Sequence, residues 1–188
     1  MNNKSKYTAA AAQLGPIDPS EPKESVVARM LNLLIEAKTK GTELVVFPEL
    51  CLTTFFPRYY ITDPANLDTY YESEVPISLM SDMFELVRKE KIIISFGYAE
   101  RENGIPFNTS VYVDSSGSIV GKYRKIHLPG HYEYEPDRPF QHLEKRYFTK
   151  GNLGFPTFDT TLGRLGMCIC NDRRWPETYR LLALQGCE

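Results

Sequence analysis

Three short segments carry the side chains that thiol-based acyl transfer requires: Phe47-Pro48-Glu49, Tyr123-Arg124-Lys125-Ile126-His127 and Cys168-Ile169-Cys170-Asn171-Asp172. They supply a carboxylate, an ammonium and a thiol. A cysteine thiol has an ordinary pKa of about 8.5 and is mostly protonated at neutral pH, so a nucleophilic role needs a base or a nearby positive charge. Glu49 can accept the thiol proton and return it to a leaving group. Lys125 can depress the thiol pKa and hold the oxyanion of a tetrahedral intermediate. Cys170 falls where a strand gives way to a helix, and the amino end of an oncoming helix favours a thiolate. Arg173 and Arg174 follow, and two guanidiniums beside a nucleophile suit a substrate carboxylate.

Each of these residues also has a plainer reading. Cysteine is among the most buried residue types. Cys168, two residues before Cys170 and on the same strand face, reads as core or as packing beside the site. Lys125 alone fits a solvated strand end, and Arg173-Arg174 a surface pair. Glu49 is harder to explain that way, because a carboxylate closing an apolar strand is costly unless paired. No second Cys/His cluster at ligand spacing accompanies Cys168-x-Cys170, so no metal is expected there.

The elements that must position these groups follow from patterning. Residues 7–13 read as an opening strand, ended by Gly15, Pro16, Asp18 and Pro19. A helix follows, with Ser20 as candidate N-cap and Glu21 and Glu24 at its positive end. Val26, Val27, Met30, Leu31, Leu34 and Ala37 recur on one face, and Gly41 is the stop. The apolar run Leu44-Val45-Val46-Phe47 marks a strand covered on both faces. The first third is therefore βαβ with two parallel strands, and Glu49 lies just beyond the carboxyl end of the second. Residues 53–76 read as a long loop with short helical turns, 76–91 as a second amphipathic helix, and 92–97 as a strand. Residues 108–114 and 119–125 flank Ser115-Ser116-Gly117-Ser118, a hairpin signature. Residues 132–148 read as a further loop, 164–170 as a strand, and 176–185 as a helix closed by Gly186. The class is α/β, with strands feeding loops at one edge, where such folds place their sites.

Composition narrows the function. The 188 residues carry 22 Lys+Arg against 24 Asp+Glu, a formal charge of −2, and this offers no basic field for nucleic acid. With 42% hydrophobic and 24% charged residues, the chain has the composition of one globular domain, spanning 1–188. No apolar run approaches the roughly 18 residues that span a bilayer. The block Ala9–Ala12 is too short and weakly hydrophobic for a secretory leader. Cys51, Cys168, Cys170 and Cys187 do not suggest a disulfide framework, so reduced thiols in a cytoplasm are expected.

At the three reactive segments the sequence resembles the nitrilase (carbon–nitrogen hydrolase) superfamily. Phe47-Pro48-Glu49, Gly121-Lys122-Tyr123-Arg124-Lys125-Ile126-His127-Leu128 and Cys170-Asn171-Asp172 look like its glutamate, lysine and cysteine motifs, in the family's order. Further stretches resemble the N-carbamoyl-D-amino-acid amidohydrolase branch: Thr53-Thr54-Phe55-Phe56-Pro57-Arg58, Lys125 through His131, Arg138 through Phe148, and Asn171 through Thr178. The resemblance implies Glu49 as general base, Lys125 as oxyanion stabiliser and Cys170 as nucleophile, with Glu144 as a second, supporting glutamate. It places His127, His142, Asn171, Arg173 and Arg174 around the substrate, although both histidines also read as hydrogen-bonded loop anchors. The implied reaction converts an N-carbamoyl-D-amino acid to the D-amino acid, ammonia and carbon dioxide, with no metal or other cofactor. The partner it implies is a small-molecule substrate, not nucleic acid or membrane, and the full-length family forms homo-oligomers. Other superfamily branches (amidases, nitrilases) and a non-catalytic fragment are the alternative readings.

The implied fold is the amino-terminal part of a four-layer αββα sandwich. The family continues beyond the nucleophile helix, whereas this sequence stops at Gly186-Cys187-Glu188. An uncovered sheet edge, an exposed apolar face, poor solubility and little activity are therefore expected of the 188 residues alone.

Overall fold

A computed structural model describes residues 6–188. Seven strands run in chain order: β1 (Ala9–Ala11), β2 (Leu44–Val46), β3 (Ile93–Glu102), β4 (Ile105–Val113), β5 (Ile119–Arg124), β6 (Thr157–Thr160) and β7 (Gly163–Gly166). Five helices accompany them: α1 (Lys23–Thr39), α2 (Pro64–Asp68), α3 (Ser81–Glu90), α4 (Glu144–Tyr147) and α5 (Pro176–Leu184). β1 to β5 form one sheet in sequence order, with β1–β2 and β2–β3 parallel and the rest antiparallel; β6 and β7 form a separate hairpin.

Alternation along the strands divides the core in two. Val45, Ile94, Phe96, Tyr98, Val111 and Val113 turn to one face, where they meet Val26, Met30 and Leu34 of α1 and Met83, Phe84 and Val87 of α3. Leu44, Ile93, Tyr112 and Tyr123 turn to the other face and meet Leu165, Met167 and Ile169. Full burial of each such side chain stabilises by about 1.5–3 kcal/mol, so Leu34→Ala in α1 would cost about 2–5 kcal/mol. Gly121 of β5 abuts the Phe158 ring of β6, while Gly166 of β7 abuts Leu182 of α5 on the far side. The order through the molecule is thus helices, five-stranded sheet, hairpin, helix: four αββα layers. β1 and β5 are the edges of the larger sheet, and Val46 at the end of β2 is 41% exposed.

Three local expectations are corrected. Ser20 does not cap α1: its amide and hydroxyl both donate to the Asp18 carboxylate (2.8 and 2.6 Å), and Pro22 precedes the first helical residue. The strand expected over 164–170 pairs only as far as Gly166, because beyond it the Ile169 amide donates to Asp172 Oδ2 (3.0 Å) instead of to a ladder. Cys168 and Cys170 still share one face, between buried Met167 and Ile169, and of the two readings of Cys168 the structure supports packing beside the site, since it is exposed and not core. The single strand expected over 92–97 is the start of a long hairpin with β4, turning at Asn103 and Gly104, both left-handed (φ 50° and 80°). Asn-Gly is the residue pair such a two-residue turn favours.

Candidate active site

Glu49 sits in the turn that leaves β2. Leu50 after it is left-handed (φ 49°), and the Phe47 amide donates to the Ser95 carbonyl (2.8 Å), pinning the segment to β3. Gly97 of β3 passes so close that an added Cβ would lie 2.9 Å from Glu49 Cα and 2.8 Å from the Leu50 nitrogen. A glycine inside a strand often signals such a close backbone approach, and this one went unread in the sequence.

Lys125 follows β5, and its amide donates to the Asn108 carbonyl of β4 (2.8 Å). Its ammonium is fully buried and donates to Glu49 Oε1 and Glu144 Oε2, both at 2.6 Å. Glu144, at the start of α4, is also fully buried; its other oxygen, Oε1, is 3.0 Å from His142 Nε2. Asn108 Nδ2 donates to Glu49 Oε1 (2.6 Å) and, more weakly, to Glu144 Oε2 (3.5 Å). Two carboxylates therefore share one ammonium and one amide. Burial, and then the neighbouring Glu49 charge, raise the Glu144 pKa against the pull of Lys125. For Lys125, burial opposes the charge, but the two carboxylates prevail and its pKa is raised.

Cys170 opens a short 3-10 turn (Cys170–Arg174) with its backbone left-handed, φ 46°. That conformation costs a residue with a Cβ about 1–2 kcal/mol, and Asp172, two residues on, holds it in place. Asp172 is fully buried and accepts four hydrogen bonds: from the Tyr123 hydroxyl (2.7 Å), the Ile169 amide (3.0 Å), the His127 amide (2.9 Å) and His127 Nδ1 (2.8 Å). The thiol lines the same cavity as Glu49 and feels the charges of Glu49, Lys125 and Glu144. Its pKa is raised, by burial first and by the Glu49 charge second, with Lys125 pulling the other way. The expected depression of the thiol pKa by Lys125 is therefore outweighed, and the resting group is the neutral thiol.

Glu49, Lys125, Glu144 and Cys170 thus form one cluster, and Glu49 and Cys170 line a cavity of about 280 Å3 together with Cys168, Ser95, Ser110 and Tyr112. His127 and Asn171 line a different cavity, of about 590 Å3, with Lys145, Arg146, Lys150 and Trp175. His127 stacks on Trp175 (centroids 4.8 Å apart), and Asn171 Nδ2 donates to its carbonyl (2.9 Å). His142 touches the cluster through Glu144. Both histidines are hydrogen-bonded anchors in this structure. Arg173 and Arg174 are exposed and make no ion pair among the described residues. Asp172, Asn108 and Gly97 are the members of the site that sequence reasoning missed. Among the described residues no group of three His, Cys, Asp or Glu is placed to hold a metal, and no helix is long and apolar enough to cross a membrane.

A buried carboxylate–ammonium pair beside a thiol, on an αββα scaffold, brings together the groups that thiol-based acyl transfer requires. Residues 8–188 match the model of the carbon-nitrogen hydrolase family, and the chain belongs to that family. Its sequence is 30% identical over 167 residues to a citrullinase of Francisella tularensis (86% of this chain, 53% of that protein). It is 30% identical over 165 residues to an N-carbamoylputrescine amidase of Arabidopsis thaliana (86% and 50%). The crystal structure of a carbon-nitrogen hydrolase from Helicobacter pylori G27 superposes with a TM-score of 0.77 at 30% identity, covering 96% of this chain and 57% of that one. The chain spans about half the length of the curated relatives it matches.

Proposed function

We propose that this chain carries the catalytic residues of an amidohydrolase that cleaves the carbamoyl carbon–nitrogen bond of N-carbamoyl-D-amino acids. The observation that supports it most is one glutamate that pairs with a buried lysine and shares a cavity with a cysteine thiol. Cys170 Sγ attacks the carbamoyl carbon while Glu49 accepts the thiol proton. The C=O electron pair moves to oxygen, where Lys125 meets the charge. Collapse expels the departing nitrogen, which takes the proton from Glu49, and leaves an S-acyl enzyme. Water then gives a proton to Glu49 and its oxygen to the acyl carbon, the thiol is restored, and the carbamic acid product loses carbon dioxide to free its amine. A neutral resting thiol fits this scheme, since proton removal and attack are coupled.

A carbamoyl substrate is supported by relatives such as the N-carbamoylputrescine amidase, whose name places that group in its substrate. A carboxylated substrate is supported by Arg173 and Arg174, two exposed guanidiniums three and four residues from the nucleophile that make no ion pair among the described residues. The test is ammonia release from N-carbamoyl-D-alanine, N-carbamoyl-L-alanine, N-carbamoylputrescine and propionamide. The D-form is expected to be turned over best, and Arg173→Gln with Arg174→Gln to raise its KM about tenfold or more without slowing N-carbamoylputrescine. Preference for the carbamoyl amine would overturn the carboxylate assignment, and turnover surviving Cys170→Ala would overturn the nucleophile.

A further inference from the structure

The amide of Asn108 lies among the reacting groups yet has no part in the scheme above. Its nitrogen bonds the same two oxygens as the lysine ammonium: Glu49 Oε1 (2.6 Å from each donor) and Glu144 Oε2 (3.5 Å from Asn108, 2.6 Å from Lys125). The amide orientation is fixed by charge, because the flipped form would set a carbonyl oxygen 2.6 Å from a carboxylate oxygen. Asn108 is 1% exposed, and its Oδ1 has no hydrogen-bond partner. A buried orphan acceptor is a net cost, which the bonds from the same amide to two carboxylates offset. Of the two ends of this amide, its environment uses only the donor.

Both donors fall on Oε1 of Glu49, and neither reaches Oε2 among the described hydrogen bonds. We infer that Asn108 is a positioning residue that, with Lys125, locks Glu49 through Oε1 and so presents Oε2 as the oxygen that takes the proton from Cys170. Lys125 alone cannot do this. Its ammonium is shared between two carboxylates, and a single contact leaves the Glu49 carboxylate free to turn about its last torsion. The second donor, arriving from β4, removes that freedom. This inference rests on the base role of Glu49 proposed above.

The experiment compares Asn108→Leu, Asn108→Ser, Glu49→Gln and the double variant Asn108→Leu/Glu49→Gln. Two readouts are used: the pH dependence of Cys170 alkylation by iodoacetamide, which needs no substrate, and hydrolysis of N-carbamoyl-D-alanine. In the wild type the Glu49 charge holds the thiol pKa up. Releasing Glu49 lets that pKa fall, so Asn108→Leu and Glu49→Gln each alkylate about threefold or more faster at pH 8, a shift of about half a pKa unit. The double variant is no faster than either, because both act through one carboxylate. Asn108→Leu lowers kcat about tenfold or more with KM little changed. Asn108→Ser, which keeps one donor, lies between and stands in if the leucine variant fails to fold. Unchanged alkylation and kcat in Asn108→Leu or Asn108→Ser, with Glu49→Gln affected, would overturn the positioning role alone. Unchanged alkylation in Glu49→Gln would overturn both it and the base role beneath it.

Discussion

Asp172 shows how much of the site a single side chain can organise. Its Oδ2 takes the Tyr123 hydroxyl and the Ile169 amide, and its Oδ1 takes the amide and ring nitrogen of His127, so one buried carboxylate joins β5, the lysine loop and the nucleophile turn. Burial and the hydrogen bond to this carboxylate drive the Tyr123 pKa far up, so the phenol stays a donor. Asp172→Asn keeps the shape but turns one oxygen into a donor facing two donors. We expect a loss of about 2–4 kcal/mol in urea unfolding, together with a fall in carbamoyl hydrolysis as Cys170 leaves its left-handed backbone. Stability lost with hydrolysis intact would confine Asp172 to the fold. At this scale sequence types and order were enough to pick out Glu49, Lys125 and Cys170, and the resemblance added Glu144. Asn108 was not legible, because a polar residue one strand away from its partner has no spacing signature; Asp172 lay within the cysteine motif, but nothing in the sequence pairs it with Tyr123 and His127. The direction of the thiol shift was not legible either, since it depends on the balance of burial, Glu49 and Lys125.

Among the elements, the parallel β1–α1–β2 unit was readable because a 3.6-residue period and an unbroken apolar run each admit one interpretation. The β3–β4 hairpin was present in the sequence as Asn103-Gly104, but β3 buries both faces and so lacks the alternation that would have extended it past Gly97. The strand after Arg164 was overextended because Leu165, Met167 and Ile169 alternate correctly and bury together, although only part of that run has a neighbour to pair with. Gly97 is where element geometry reaches the chemistry. β3 must come within van der Waals distance of the Glu49 turn, and a methyl there meets backbone atoms that cannot step aside. Gly97→Ala should therefore push the Glu49 turn off β3. The expected result is loss of about 1–3 kcal/mol from overpacking and a fall in kcat about tenfold or more, since an ångström of misplacement costs far more in rate than in stability. Full kcat in a destabilised Gly97→Ala protein would show that the turn is held elsewhere.

At the scale of the whole molecule, two buried glutamates among the described residues respond oppositely to acid. Glu100, on β3, accepts hydrogen bonds from Arg124 Nε (2.7 Å), Lys122 Nζ (2.6 Å) and Thr109 Oγ1 (2.7 Å), which tie β3, β4 and β5 together. Burial by itself would raise its pKa, but those donors outweigh it and bring it from 4.5 down to about 2. A carboxyl with a depressed folded pKa stabilises the native state above the unfolded value and loses that contribution as pH falls through the folded value. The window is therefore pH 4.5 to about 2, and the shift corresponds to about 3 kcal/mol. Glu144 has the other sign: its pKa is raised, so its ionised form destabilises at neutral pH, and acidification relieves the strain before Glu100 begins to titrate. Urea unfolding of the wild type and Glu100→Gln across pH 7 to 2 separates the two. The wild type should exceed the variant by about 3 kcal/mol at pH 6, and the difference should shrink toward zero by pH 2. A gap that persists unchanged at pH 2 would mean that the Glu100 carboxylate is not what binds the three strands.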